Sequence, residues 1–141
     1  MDWDGAVSAF MEVLYGVRQG SILGPLLFNI HTADMAAALG NAPNVTYADD
    51  SNAWAACKTL GDVRACLQTA ADRFVHWAKG NGLAVNAAKT QLMVSSNGGA
   101  CDGFTVNVDG KDIEATNRSN LLGVAYNRQF STAPHLSIIH I

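Results

Sequence analysis

The chain has 141 residues, of which 49% are hydrophobic and 15% are charged, and its formal net charge is −3. This composition favours one globular domain with a buried core over a disordered segment. The sequence has no apolar run long enough to span a bilayer, and its first residues do not form a signal peptide. We therefore expect a soluble, intracellular protein without membrane contact.

The charged residues are unevenly distributed. Residues 1–56 carry six acidic side chains and one basic one, whereas residues 57–141 carry six acidic and eight basic ones. Nucleic-acid-binding domains usually have a basic excess, which this chain lacks as a whole. An acidic metal centre beside a mildly basic flank fits the pattern, and an ordinary solvated surface explains it equally well. Neither the three cysteines nor the four histidines have the spacing of a zinc site or a disulfide framework.

Glycine recurs three times in residues 16–24, with Gln19 directly before the second of these glycines and Ser21 directly after it. Glycine lets a backbone pass close to a ligand, although an ordinary loop between a strand and a helix has the same composition. Pro25 suits the first turn of a helix. The predicted helix ends at Gly40, and one broad apolar face carries Leu26, Leu27, Ile30, Ala33, Met35 and Leu39.

Two adjacent acids, Asp49 and Asp50, separate the mainly apolar run 44–48 from a second mainly apolar run, 51–56. The pattern predicts two strands joined by an acidic turn. Neighbouring carboxylates repel one another, and a hard divalent cation is the usual reason to hold them together. A solvated surface turn is the simpler alternative for this tetrapeptide considered alone.

The second half of the chain predicts one long helix and several strands. Thr59 and Asp62 have the spacing of a capping box, and a helix follows to about residue 78 with Trp77 at the edge of its apolar stripe. Short strands are expected at residues 83–85, in the tail of 89–96 and at 121–126. Residues 104–115 predict a β-hairpin around Asp109 and Gly110.

Four of these blocks, in this order, resemble the palm of reverse transcriptases, most closely those of non-LTR (LINE-like) retrotransposons. The blocks are residues 16–30, 47–50, 81–90 and 121–124. The resemblance covers residues 5–135 and implies a single partial reverse transcriptase domain over residues 1–141. Its implied fold is α+β, a palm-like split βαβ sandwich with an antiparallel sheet, two main helices on one face and a C-terminal β-hairpin.

The resemblance also implies the chemistry and the residues that perform it. A primer 3′-hydroxyl attacks the α-phosphorus of a deoxynucleoside triphosphate on an RNA template, and two Mg²⁺ ions, or Mn²⁺, assist. Asp49 is the expected direct metal ligand, Asp50 the supporting one, and Lys89 lies near the leaving pyrophosphate. The nucleotide- and template-binding positions are Gln19, Gly20, Ser21, Gly24, Pro25, Tyr47 and Ala48. Leu122 and Gly123 match the primer grip.

Several parts of the family pattern are absent from these 141 residues. Family members carry a further metal-binding aspartate on an upstream strand, and Asp2 and Asp4 are poorly placed to replace it. The fingers and the thumb are missing as well, so we expect a fragment of a longer polypeptide with little activity of its own. A catalytically dead or domesticated remnant that binds RNA or a protein partner is the competing interpretation.

Overall fold

The computed structural model describes residues 2–3, 6–7, 16, 20–40, 42–95, 103–121, 124–127 and 136–140. The helices are α1 (Gly24–His31), α2 (Met35–Ala38) and α3 (Leu60–Gly80). The strands are β1 (Asp2–Trp3), β2 (Ala6–Val7), β3 (Asn44–Tyr47), β4 (Asp50–Ala56), β5 (Gln91–Val94), β6 (Thr105–Val108), β7 (Lys111–Thr116), β8 (Arg118–Leu121), β9 (Val124–Asn127) and β10 (Leu136–His140). The architecture is mixed α+β, as expected.

Six strands form one sheet in the order β3-β4-β10-β5-β7-β6. Its neighbours pair antiparallel except for β5 and β7, which run parallel through Leu92 with Ala115 and Met93 with Thr116. The expectation of an antiparallel sheet is therefore wrong for this one pair, because the chain crosses over between these two strands instead of turning back. Two separate pairs, β1 with β2 and β8 with β9, are antiparallel.

Helix α3 is the element around which the core forms. Thr59 is its N-cap, and the Thr59 hydroxyl oxygen accepts a hydrogen bond from the Asp62 backbone N–H at 3.1 Å. The buried stripe of the helix comprises Val63, Leu67, Ala70, Ala71, Phe74, Trp77 and Ala78. Burying a side chain such as Leu67 contributes about 1.5–3 kcal/mol. Trp77, which the sequence predicts at the edge of this stripe, is buried and 8% exposed.

The first predicted helix is broken into α1 and α2. Thr32 closes α1, since both its backbone N–H and its hydroxyl donate to the carbonyl oxygen of Phe28 at 3.0 Å. The expected apolar face is also wrong in part, because Met35 and Leu39 are buried whereas Leu26, Leu27 and Ile30 are exposed. Ala33 is exposed too. The break redirects the chain, so that most apolar side chains before Thr32 face solvent and those of Met35 and Leu39 after it face the core.

The strand predictions were partly correct. Residues 83–85 do not form a strand; Leu83 and Val85 are half-buried and pack against the core without a ladder partner. The single strand expected at 121–126 is replaced by β8 and β9, which pair antiparallel. Strand β5 and the hairpin of β6 and β7 are present as predicted.

Strand β10 was not anticipated. It lies in the middle of the large sheet, antiparallel to β4 on one side and to β5 on the other. The register pairs His140 with Asn52 and Leu136 with Ala56, so β10 runs towards the end of β4 that carries Asp50. The split βαβ arrangement of a palm stays a prediction.

The hairpin of β6 and β7 turns at Asp109 and Gly110, where φ is 51° and 81°. The Asn107 side-chain oxygen accepts from the Gly110 backbone N–H at 3.0 Å, and the Asn107 amide donates to Asp112 at 2.7 Å. The Lys79 ammonium group lies 2.6 Å from the Asp109 carboxylate. This turn is thus fixed both within the hairpin and against α3.

Candidate active site

The acidic turn is a two-residue loop between β3 and β4. Tyr47 pairs with Asp50, which leaves Ala48 and Asp49 as the loop residues. Ala48 has φ of 52°, a left-handed conformation that a residue with a Cβ adopts at a cost of about 1 kcal/mol. Asp49 is exposed and Asp50 is half-buried. The two carboxylates are therefore presented at the end of the sheet.

Strand β4 anchors this turn more firmly than β3 does. Ser51, Asn52 and Ala53 are buried in succession, because β4 is an interior strand paired on both edges. Strand β3 is the edge strand, and its Tyr47 side chain is 69% exposed. The position of the acids thus follows mainly from the residues directly after them.

A cavity of about 330 Å³ lies beside the acidic turn. Its wall contains four residues that the sequence assigned to the site, namely Ala48, Asp49, Asp50 and Lys89. The rest of the wall consists of Phe28, Thr32, Met35, Ser51, Phe74, Trp77, Ala78, Leu83, Ala84, Val85 and Asn86. Two carboxylates and one ammonium group therefore share a cavity whose other walls are largely apolar.

A compact turn built on Asn86 places Lys89 at this cavity. The Asn86 carbonyl oxygen accepts from the Lys89 backbone N–H at 2.9 Å and from the Thr90 backbone N–H at 3.2 Å. The Asn86 side-chain oxygen accepts from the Ala88 backbone N–H at 3.1 Å. Such side-chain bonds to the following backbone favour a turn over a strand. Asn86 thus fixes the stretch from which the exposed Lys89 side chain extends.

The glycine loop does not line the same cavity. Gly20 has φ of 84°, Ser21 is exposed, and the Ser21 carbonyl oxygen accepts from the Gly24 backbone N–H at 3.2 Å. Pro25 lies in the first turn of α1, as predicted. None of these four residues belongs to the cavity wall, and neither does Tyr47. Gln19, Leu122 and Gly123 lie outside the described residues.

Sequence reasoning missed a set of polar contacts behind the acidic turn. The Ser51 hydroxyl donates to the Met35 sulfur at 3.6 Å, and the Trp77 indole N–H donates to the Asp34 carboxylate at 3.0 Å. Met35 and Trp77 were assigned to helix packing, and their residue types gave no other signal. Only the tertiary arrangement reveals that these side chains reach the cavity.

The donor chemistry of the turn suits a hard cation, since both side chains offer carboxylate oxygens. Within the described ranges, no group of three histidine, cysteine, aspartate or glutamate side chains could hold a metal ion. The cavity wall therefore provides two carboxylate side chains.

A family model described as reverse transcriptase (RNA-dependent DNA polymerase) matches residues 4–126, which include the acidic turn, Lys89 and the glycine loop. The chain belongs to the reverse transcriptase family. It is related to the reverse transcriptases of non-LTR retrotransposons such as jockey and the X-element.

Three similar reverse transcriptases come from fruit flies. The RNA-directed DNA polymerase from mobile element jockey of Drosophila funebris is 32% identical over 142 residues, covering 95% of this chain and 15% of that protein. The jockey polymerase of Drosophila melanogaster is 28% identical, with 96% and 16% covered. The probable RNA-directed DNA polymerase from transposon X-element of Drosophila melanogaster is 27% identical, with 95% and 15% covered.

The chain spans about 15% of the length of these reverse transcriptases. No solved structure matches it. Within the part of the chain that the structure describes, no helix is long and apolar enough to cross a membrane.

Proposed function

We propose that the chain is part of an RNA-directed DNA polymerase that transfers a nucleotide from a deoxynucleoside triphosphate to a primer 3′-hydroxyl on an RNA template. The observation that carries the proposal is the shared cavity, in which Asp49, Asp50 and Lys89 lie together although Lys89 is far from the acids in sequence. Negative charge develops on the attacking and leaving oxygens in this reaction, and the cavity combines cation-binding carboxylates with an ammonium group.

Asp49 and Asp50 are the residues that would hold Mg²⁺, or Mn²⁺, with Asp49 as the direct ligand and Asp50 in support. The bound ions would neutralise charge on the attacking and leaving oxygens. Asp49 is exposed at the apex of the turn, where a phosphate oxygen can reach it, while Asp50 is half-buried at the start of β4. This difference in exposure supports the division of roles.

Lys89 acts on the pyrophosphate in this proposal. Its exposed side chain extends from the Asn86 turn into a cavity that also contains the acids. A cation there stabilises the negative charge of the leaving group, or donates a proton to it. The same lysine on a bare surface turn would have no chemical role, and the shared cavity is what favours the functional assignment.

The nucleotide- and template-binding residues are proposed from the family match. They are Gln19, Gly20, Ser21, Gly24, Pro25, Tyr47 and Ala48, and the primer grip is Leu122 with Gly123. Ala48 has direct support, since it lines the cavity and its small side chain leaves room for a substrate. The template RNA, the DNA primer and the nucleotide are the partners that this assignment requires.

The 141 residues form a partial domain in this proposal, and the rest of the polymerase belongs to a longer polypeptide with fingers and thumb. The relatives are several times longer, which supports this interpretation. A third carboxylate is needed to bridge two ions, and it would come from a strand upstream of the glycine loop. The isolated chain should therefore bind metal weakly and extend a primer little or not at all.

A second candidate function is that of a non-catalytic remnant that binds RNA or a protein partner. One observation favours this second function: helix α1 and the two residues directly before the helix expose a large apolar surface. Ile22 is 97% exposed and Ile30 is 64% exposed. Apolar patches of this kind usually mark an interaction surface or a surface that another part of the polypeptide covers.

The proposal is tested by a matched pair of substitutions, Asp49→Asn and Asp109→Asn, in a polypeptide extended both upstream and downstream in the same reading frame. Both substitutions remove one carboxylate from a hairpin turn. We expect Asp49→Asn to lower primer extension on an RNA template by on the order of 100-fold or more, and Asp109→Asn to leave it unchanged. Lys89→Ala should lower the rate with little change in nucleotide affinity.

Two outcomes would contradict the catalytic proposal. Primer extension that survives Asp49→Asn removes the assigned ligand from the mechanism. An upstream sequence closed by stop codons, or an extended polypeptide with no activity that still binds RNA, would favour the remnant.

A further inference from the structure

We propose that Asp34 and Trp77 are positioning residues that set the orientation of the acidic turn from behind. This inference rests on the proposed function, because it concerns how Asp49 and Asp50 are held for a cation. Neither residue offers a group to the metal in this proposal. Their effect passes through Met35 and Ser51.

The first link is the hydrogen bond from the Trp77 indole N–H to the Asp34 carboxylate, at 3.0 Å. Asp34 is the N-cap residue of α2, yet its side chain makes no capping hydrogen bond. An aspartate at this position usually accepts from the first backbone N–H groups of its helix. Here it instead ties α2 to the C-terminal end of α3.

The second link joins α2 to the acidic strand. Met35 follows Asp34 directly, is 4% exposed, and accepts a hydrogen bond from the Ser51 hydroxyl at 3.6 Å. Ser51 is 6% exposed and follows Asp50 directly. The path from Trp77 to Asp50 therefore runs through three intermediate residues, Asp34, Met35 and Ser51, and each step is a covalent bond or a side-chain hydrogen bond.

The acidic turn needs such support because the β3 side of its hairpin provides little. Strand β3 is an edge strand, Ala48 has an unfavourable positive φ, and the two neighbouring carboxylates repel each other. Trp77 also lines the cavity and packs against Phe74 with the ring centres 6.1 Å apart. The indole of Trp77 thus forms part of the cavity wall and also donates the hydrogen bond to Asp34.

The test compares Asp34→Asn with Asp34→Ala by measuring Mn²⁺ affinity of the 141-residue chain by electron paramagnetic resonance. Both variants remove the charge, but only asparagine keeps an oxygen that accepts from Trp77. We expect Asp34→Ala to weaken Mn²⁺ binding about tenfold, as loss of a group supporting a ligand does. Asp34→Asn should weaken it about threefold or less, through lost long-range attraction alone.

Two further variants complete the design. Trp77→Phe removes the hydrogen-bond donor, keeps most of the apolar packing, and should weaken Mn²⁺ binding as much as Asp34→Ala does. It also replaces Asp34→Ala in the test if that variant fails to fold. Glu114→Ala removes an exposed acid on β7, three strands away from β4 in the sheet, and should leave Mn²⁺ affinity within about threefold. Equal Mn²⁺ affinities for Asp34→Ala, Asp34→Asn and Glu114→Ala would overturn the proposal.

A second readout separates this inference from the proposed function. The backbone amide resonances of Asp49, Asp50 and Ser51 should shift in Asp34→Ala and Trp77→Phe, and stay in place in Asp34→Asn and Glu114→Ala. If the unsubstituted chain binds no Mn²⁺ at a saturable site, the metal assignment fails and these resonances still decide the coupling. Unshifted resonances in Asp34→Ala would refute the coupling between Asp34 and the acidic turn.

Discussion

Two hairpin turns of the molecule have the same length but different chemistry. The turn between β6 and β7 places Asp109 and Gly110 at positive φ and adds side-chain bonds and an ion pair with Lys79. The turn between β3 and β4 places Ala48 at positive φ and follows it with two acids. The first combination is favourable for a hairpin, whereas the second is not.

The contrast indicates what each turn contributes. Asparagine, aspartate and glycine tolerate a left-handed backbone, and alanine does so poorly. A turn that keeps an unfavourable residue beside a cavity is expected where function, and not stability, determines the sequence. The acidic turn fits that expectation, and the Asp109 turn shows that the same chain also contains a turn suited to stability.

The largest effect is expected for the double substitution A48D/D49G, which gives the acidic turn the Asp-Gly loop found between β6 and β7. The net charge is unchanged, but the carboxylate moves away from position 49. We expect Mn²⁺ binding to the chain to fall about tenfold or more, while resistance to urea rises. Unchanged Mn²⁺ affinity in electron paramagnetic resonance would show that Asp49 is not a ligand.

The next effect is expected at Gly110. Its φ of 81° is unfavourable for any residue with a Cβ, although no atom lies within 4 Å of the position that a Cβ would take. Gly110→Ala should therefore lower the free energy of unfolding by about 1–2 kcal/mol through backbone strain alone. Gly80→Ala, at the end of α3, is the control and should cause no loss. A chemical denaturation curve for each variant gives the comparison.

A smaller change of opposite sign is expected for Ala48→Gly. Glycine removes the penalty of the left-handed backbone, so the free energy of unfolding should rise by about 1 kcal/mol or less. The measurement is the urea midpoint at constant slope. A lower midpoint would mean that the greater freedom of glycine in the unfolded chain outweighs the relief of strain.

The smallest effect is expected for Lys79→Ala. The ion pair with Asp109 is short, but the Lys79 side chain is 63% exposed and that of Asp109 is 34% exposed. Water and salt screen such a pair, so the loss should be about 0.5 kcal/mol or less. Thermal unfolding in low and high salt checks this, and a loss that persists in high salt would assign the effect to packing of the lysine stem.

The elements that the sequence predicted correctly are those specified by nearby residues. Helix α3 has a Thr59 cap and a regular apolar stripe, and the Asp109 turn has its own dipeptide signal. The break at Thr32 was missed because the apolar pattern continues across it. Strand β10 and the parallel pairing of β5 with β7 depend on distant partners, which no local pattern specifies.

The residues of the candidate site also fall into those that the sequence predicted and those that it missed. Asp49, Asp50 and Lys89 were predicted by the resemblance, and the structure brings them to one cavity. Met35, Ser51 and Trp77 were missed, because an apolar or small residue in a regular element is normally a packing residue. Their position behind the acids follows only from how α2, β4 and α3 meet.

The central place of β10 has a consequence for the time at which the sheet can assemble during synthesis. Residues 50–56 are synthesised before β5, β6 and β7, yet their partner on one side is a strand synthesised after all the others in the sheet. The hairpins of β3 with β4 and of β6 with β7 can form early, but the two halves of the sheet cannot join until β10 emerges. Until then each half exposes an unpaired edge, which makes the nascent chain a candidate for chaperone binding and for slow folding limited by long-range contacts.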